Sequence, residues 1–205
     1  MQTHKAKVSW EDLCIPKEEG GLGLRKLQDS SKTFALKLIW RLFTQPLSLW
    51  VSWVNHYLLK YNSFWDVRDD QKSSWMWRKL LKLRDLAHEF MKVEVRDGKT
   101  CHFWFDDWLG MWRLIAITGA TGTTYMGVMR HAKVCDAVTE EGWSIRGHRS
   151  CHFHDLHNSI MAAEPPKLEK GSDICLWKHG DDDYRSTFSS TRTWDQLRVK
   201  RSKVE

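Results

Sequence analysis

Apolar positions recur at helical spacing from about residue 30 onward. Ala35, Leu38, Ile39 and Leu42 fall on one face, and Asp29 or Ser30 is placed to cap that helix. Gln45-Pro46 interrupts the pattern, and Pro46 suits the first position of a second helix. Its stripe is Leu47, Trp50, Val51, Val54 and Leu58. A third helix is predicted from the Ser73-Ser74 cap to about Met91, with Leu80, Leu83, Ala87 and Phe90 inward. Three amphipathic helices with short connections make a small helical subdomain. Ahead of them residues 1–25 read as a loop lead-in, because Pro16, Gly20, Gly21 and Gly23 break any regular period.

The period changes at Lys92. Val93-Glu94-Val95 and Thr100 to Phe105 flank Arg96-Asp97-Gly98-Lys99, and Asp-Gly between apolar runs predicts a hairpin. A two-residue turn would pair Val95 with Thr100 and Val93 with His102. Beyond Leu109 the periodicity weakens between glycines, Pro165-Pro166 and the acidic run Asp181-Asp182-Asp183. The expected class is α+β: a helical N-terminal subdomain, a β-hairpin and a loosely ordered C-terminal half. In domain terms this is a lead-in over 1–25, a helical subdomain with its hairpin over 26–109, and a weakly structured region over 110–205.

Composition sharpens this picture in two respects. Among 205 residues there are 13 Trp, too many to leave exposed without aggregation, so most must be buried. Of the helical tryptophans, Trp53 and Trp75 fall off the apolar stripes and are expected at the surface. The formal net charge is +6. Basic residues concentrate at Lys79, Lys82 and Arg84 and in the tail at Arg198, Lys200, Arg201 and Lys203. Basic clusters interleaved with aromatics point to nucleic acid, RNA or an RNA–DNA duplex, held nonspecifically through its backbone. These seven residues are the candidate contacts.

No stretch approaches the ~20 consecutive apolar residues of a membrane span, and the polar, basic start does not read as a signal peptide. No small-molecule substrate is evident. Cys14, Cys101, Cys135, Cys151 and Cys175 are scattered and odd in number, which fits reduced thiols in an intracellular protein, nuclear or cytoplasmic, better than a disulfide framework.

The tempting chemistry is weak on inspection. Asp106-Asp107 follows Phe105 directly, whereas a polymerase metal site needs a third carboxylate from another strand, and none precedes it here. These aspartates are read as the end of a strand. His148, Cys151, His152, His154, Asp155 and His157 are metal-ligand types, but they lack the second close pair of a structural zinc site. Thr118 to Thr124 lacks the Gly-Lys-Ser/Thr ending of a phosphate loop, and Gly21-Leu22-Gly23 lacks a third glycine. No catalytic, metal or cofactor residue is assigned, and zinc is not expected to be needed for folding.

Three blocks carry a resemblance. Val8-Ser9-Trp10-Glu11-Asp12-Leu13-Cys14, with Pro16-Lys17 and Glu19-Gly20-Gly21-Leu22-Gly23-Leu24-Arg25, resembles the segment just after the polymerase core in plant LINE-type (non-LTR) retrotransposon proteins. His102 to Leu109 resembles that family's aromatic-acidic stretch. Trp177 to Asp181, with Phe188 to Trp194, resembles the lead-in to its zinc-binding domain. The blocks span nearly the whole chain in family order. Gly110-Met111-Trp112 departs from it, standing where a proline-containing stretch is expected.

The resemblance implies a reverse transcriptase, an RNA-directed DNA polymerase, whose catalytic aspartates lie before residue 1. The zinc ligands of its reverse-transcriptase zinc-binding domain would lie beyond residue 205. The chain would then be a non-catalytic fragment, a remnant of a decayed element, from the connection that grips template and primer. The rival readings are a standalone nonspecific nucleic-acid-binding protein and, third, a metal-dependent nuclease built on Asp106, Asp107 and the His cluster.

Overall fold

A computed structural model describes residues 9–60, 62–69, 73–146 and 153–200. Its class is α+β. After the short helix α1 (Trp10–Leu13) and a 3-10 turn at Lys17–Glu19 come α2 (Leu27–Thr44) and α3 (Leu49–Trp53), which runs on into a π-helical turn at Val54–Leu59. Next are α4 (Trp75–Lys82), α5 (Arg84–Glu89) and strand β1 (Met91–Glu94). The second half holds α6 (Leu114–Thr118), α7 (Thr121–Met126), β2 (Val138–Thr139), β3 (Gly142–Trp143), α8 (His154–Ala162), β4 (Ile174–Gly180), β5 (Asp183–Arg185) and α9 (Ser190–Leu197).

The three helical stripes turn inward as their spacing requires. Ala35, Ile39 and Leu42 of α2 are buried, as are Val51 and Val54, Leu80 of α4 and Ala87 of α5. Boundaries moved for local reasons. Helix α2 starts at Leu27, with Asp29 inside its first turn, where a carboxylate favours the positive end of the dipole. Helix α3 starts after Ser48, so Pro46 lies in the preceding turn and Leu47 is 98% exposed instead of inward. The third helix breaks at Leu83, whose ψ of 8° is not helical, and becomes α4 and α5.

The expected hairpin is corrected. Strand β1 pairs antiparallel with β4, not with residues 100–105, in the register Met91↔Trp177, Lys92↔Leu176, Val93↔Cys175 and Glu94↔Ile174. The hairpin in this sheet is β4–β5, in the order β1-β4-β5. Two causes are visible. The Asp173 carboxylate accepts hydrogen bonds from the backbone N–H groups of Arg96 (2.8 Å), Gly98 (2.8 Å), Thr100 (3.0 Å) and Cys101 (3.0 Å), and from the Thr100 hydroxyl (2.9 Å). That wraps the Asp-Gly segment around a carboxylate 70-odd residues downstream. Phe103, Trp104 and Phe105 are all fully buried, which an alternating half-exposed strand does not allow; they form a turn closed by Asp106 N–H to His102 C=O at 3.2 Å.

The expectation of a loose second half is corrected as well. One apolar core takes Leu36, Ile39, Trp40 and Trp77 from the first half and Leu114, Met126, Leu156, Ile160 and Trp177 from the second. Trp177 is fully buried, stacked on Phe90 with centroids 5.3 Å apart and edge-on to Trp40 at 5.6 Å. Its indole N–H donates to the Thr193 hydroxyl at 2.9 Å, so a buried polar atom is satisfied. Helix α9 packs along α2. The weak periodicity of the second half therefore reflects short elements threaded onto a shared core, not missing packing.

Candidate nucleic-acid interface

The aspartate pair is divided by the fold. Asp106 is buried; one carboxylate oxygen accepts from the Trp65 indole at 2.6 Å and the other from the His102 backbone N–H at 2.6 Å. Burial alone would raise its pKa, but hydrogen bonding and charge from His102 and the Trp65 hydrogen bond hold it below the usual carboxylate range. Asp107 faces the backbone N–H groups of Gly110, Met111 and Trp112 and the charge of Lys92, while burial pushes its pKa up. Each aspartate thus organises its own turn. Lys133 completes the Asp106 side, donating to the Thr100 carbonyl at 2.7 Å and lying 3.0 Å from His102 Nε2.

Of the histidine cluster, His148, Cys151 and His152 lie outside the described residues. His154 and His157 both sit on α8, but His157 faces the core and His154 the solvent. Among the described residues no group of three or more His, Cys, Asp or Glu is placed to hold a metal ion. Residues 118–124 form the junction of α6 and α7; a Cβ on Gly122 would lie 2.1 Å from the Thr118 hydroxyl, so that glycine serves close packing. Among the described residues no helix is long and apolar enough to cross a membrane.

The seven basic candidates fare differently. Lys82 is exposed on α4. Lys79 donates to the Ser31 hydroxyl on α2 and lies 5.2 Å above the ring of Trp75, which is 67% exposed. Arg84 is spent on structure, donating to the carbonyls of Trp65 at 2.8 Å and Val67 at 2.9 Å, and burial lowers its pKa. Arg198 is likewise committed, bidentate to Glu19 at 2.8 and 2.6 Å and bonded to Asp195 at 2.7 Å. Lys200 approaches Asp195 at 3.5 Å, and Arg201 and Lys203 lie outside the described residues. What remains of the predicted set is one face of α4: Lys79 and Lys82, joined by exposed Arg78 and Trp75.

A second basic and aromatic surface went unread in the sequence. Past the π-turn an open cleft of about 560 Å³ is lined by Tyr57, Lys60, Asp66, Arg68, Trp77 and His131. Asp66 at this cleft is bidentate to Arg130, at 2.9 and 2.6 Å, and that hydrogen-bonded guanidinium holds its pKa low. Lys60 and Arg68 are exposed and, among the described residues, neither is in an ion pair. Trp53, 51% exposed, meets Tyr57, 58% exposed, with centroids 5.7 Å apart. The one signal available was Tyr57 lying four residues past the off-stripe Trp53.

The chain is similar to two proteins of Arabidopsis thaliana. One is named "Putative ribonuclease H protein" and is 33% identical over 109 residues, 50% of this chain and 17% of that protein's length. The other, named as an uncharacterized mitochondrial protein, is 27% identical over 103 residues, 50% of this chain and 67% of that protein. Both are plant proteins, in keeping with the plant retroelement resemblance. No family model matches the chain, and no solved structure matches it.

Proposed function

We propose that this chain is a non-catalytic piece of a plant LINE-type retroelement reverse transcriptase, from the connection between polymerase core and zinc-binding module. Its role there is to hold a template–primer duplex nonspecifically through the phosphate backbone. The observation that carries the reading is the α4 face: Arg78, Lys79 and Lys82 on a helix without acidic residues, beside an exposed Trp75. Such a face offers positive charge without a base-reading geometry, which positions a duplex but does not select sequence. The likeness to a plant protein named for ribonuclease H supports a nucleic-acid setting. A lack of catalysis fits the aspartates, since both Asp106 oxygens are occupied by Trp65 and His102.

The test is binding of an RNA–DNA hybrid by fluorescence anisotropy across a salt series. Log affinity should fall with log salt by about 0.9 per phosphate contact. Lys79→Glu with Lys82→Glu should weaken binding about tenfold or more. The same hybrid incubated with magnesium should stay intact. Sequence-selective binding that survives raised salt, or hybrid cleavage abolished by Asp106→Asn, would overturn the reading.

A further inference from the structure

We infer that the surface formed by Trp53, Tyr57, Lys60 and Arg68 binds single-stranded nucleic acid, its bases stacked on the two rings and its phosphates held by the two cations. This goes beyond duplex holding by α4, because it names a different face and a different form of the polymer. In a chain that buries Trp40, Trp65, Trp77, Trp104 and Trp177, two neighbouring large rings are left more than half exposed. They make a shelf, tilted 36° to each other with centroids 5.7 Å apart. The shelf opens into the cleft, which Tyr57 shares with Lys60 and Arg68.

Charge selects the occupant. Among the described residues that line the cleft, the acidic side chain, Asp66, is bidentate to Arg130, which leaves Lys60 and Arg68 as lining cations outside any ion pair. Exposed aromatic rings beside unpaired cations are what unstacked bases on a phosphate chain require, and every base has a face to offer. A duplex hides those faces in its own stack, so it gains the charge contacts only. The backbone is shaped for this placement. The π-helical turn Val54–Leu59 ends at Lys60 in the left-handed region at φ 47°, which a lysine rarely adopts, and Lys60 lines the cleft.

The experiment uses the full chain, a labelled 12-nucleotide oligo(dT), the matching oligo(U), and a duplex of equal length. Trp53→Ala and Tyr57→Ala should each weaken single-strand binding at least about fivefold while changing duplex binding less than about twofold. Trp53→Phe should recover most of the loss. Lys60→Ala with Arg68→Ala should lower the salt slope on the single strand by about 1.4, two contacts at about 0.7 each. Both rings are at the surface, so an unchanged melting temperature checks that the variants fold. Ultraviolet crosslinks should map to the peptide carrying Trp53 and Tyr57. Equal losses on duplex and single strand, or crosslinks confined to α4, would overturn the inference. Duplex binding without single-strand binding refutes it and leaves the α4 reading standing; loss of both refutes both.

Discussion

Asp173→Asn isolates the interaction that replaced the expected hairpin. In the native chain the carboxylate accepts four backbone N–H bonds and one hydroxyl bond from residues 96–101. An asparagine keeps one acceptor oxygen and turns an NH2 group towards backbone N–H donors, so about two amide bonds are lost. Hydrogen bonds to a charged group contribute about 1.5–3 kcal/mol each when buried. Asp173 is only partly buried, so solvent takes up part of that, and a loss of about 2–3 kcal/mol at pH 7 is expected. For a chain of this size that is a drop in Tm of about 4–12 °C.

The pH dependence follows from the sign of the shift. Burial would raise the Asp173 pKa, but the backbone hydrogen bonds of Arg96, Cys101 and Gly98 hold it below its ordinary value. Its contribution is therefore fully present above the unfolded pKa of about 4 and is lost as pH falls through the lower native value. The difference between wild type and variant, followed by urea denaturation, should be largest near neutrality and shrink below about pH 4. A difference under about 0.5 kcal/mol, or one unchanged from pH 7 to pH 3, would refute the account.

Three further outcomes are expected. Trp177→Ala should cost about 3–5 kcal/mol, because it empties a site enclosed by Phe90, Trp40 and Phe188, and limited proteolysis of the wild type should leave a resistant core reaching past residue 177. A stable core ending near residue 110 would contradict this. His88, whose pKa burial lowers to about 4, should stay neutral in the native state, its Nε2 3.1 Å from the Phe105 carbonyl. Stability from this group is complete above pH 6.5 and is lost as pH falls from about 6.5 to about 4. A His88 NMR signal titrating near 6.5 in the folded protein would rule it out.

Local structure was legible where the physics is local. The Ser74 cap of α4 is present, its hydroxyl accepting from Trp77 N–H at 3.2 Å, and the inward stripes of the first helices hold except at Leu47. Trp53 and Trp75 are exposed, as their off-stripe positions required. What could not be read was long range. Asp-Gly signals a two-residue turn only when nothing competes for its amides, and Asp173 competes from 75 residues away. Arg84 and Arg198 counted as free charge in the sequence because two carbonyls around residue 66 and Glu19 are remote in the chain, although Asp195 stands only three residues from Arg198. Conversely Lys60 and Arg68 drew no notice as isolated cations, and only the cleft brings them together.

The pairing of β1 with β4 has a consequence during synthesis. Glu94 must wait for Ile174, a separation of 80 residues (174 − 94), before its strand has a partner. At about 5–20 residues per second of translation, that is roughly 4–16 s. Through that interval the nascent chain carries an open strand edge beside half-assembled tryptophan packing, a surface that other emerging chains can join. A ribosome that stops early would therefore release a product whose β1 edge is unpaired and whose Trp177 partners, Trp40 and Phe90, are left uncovered.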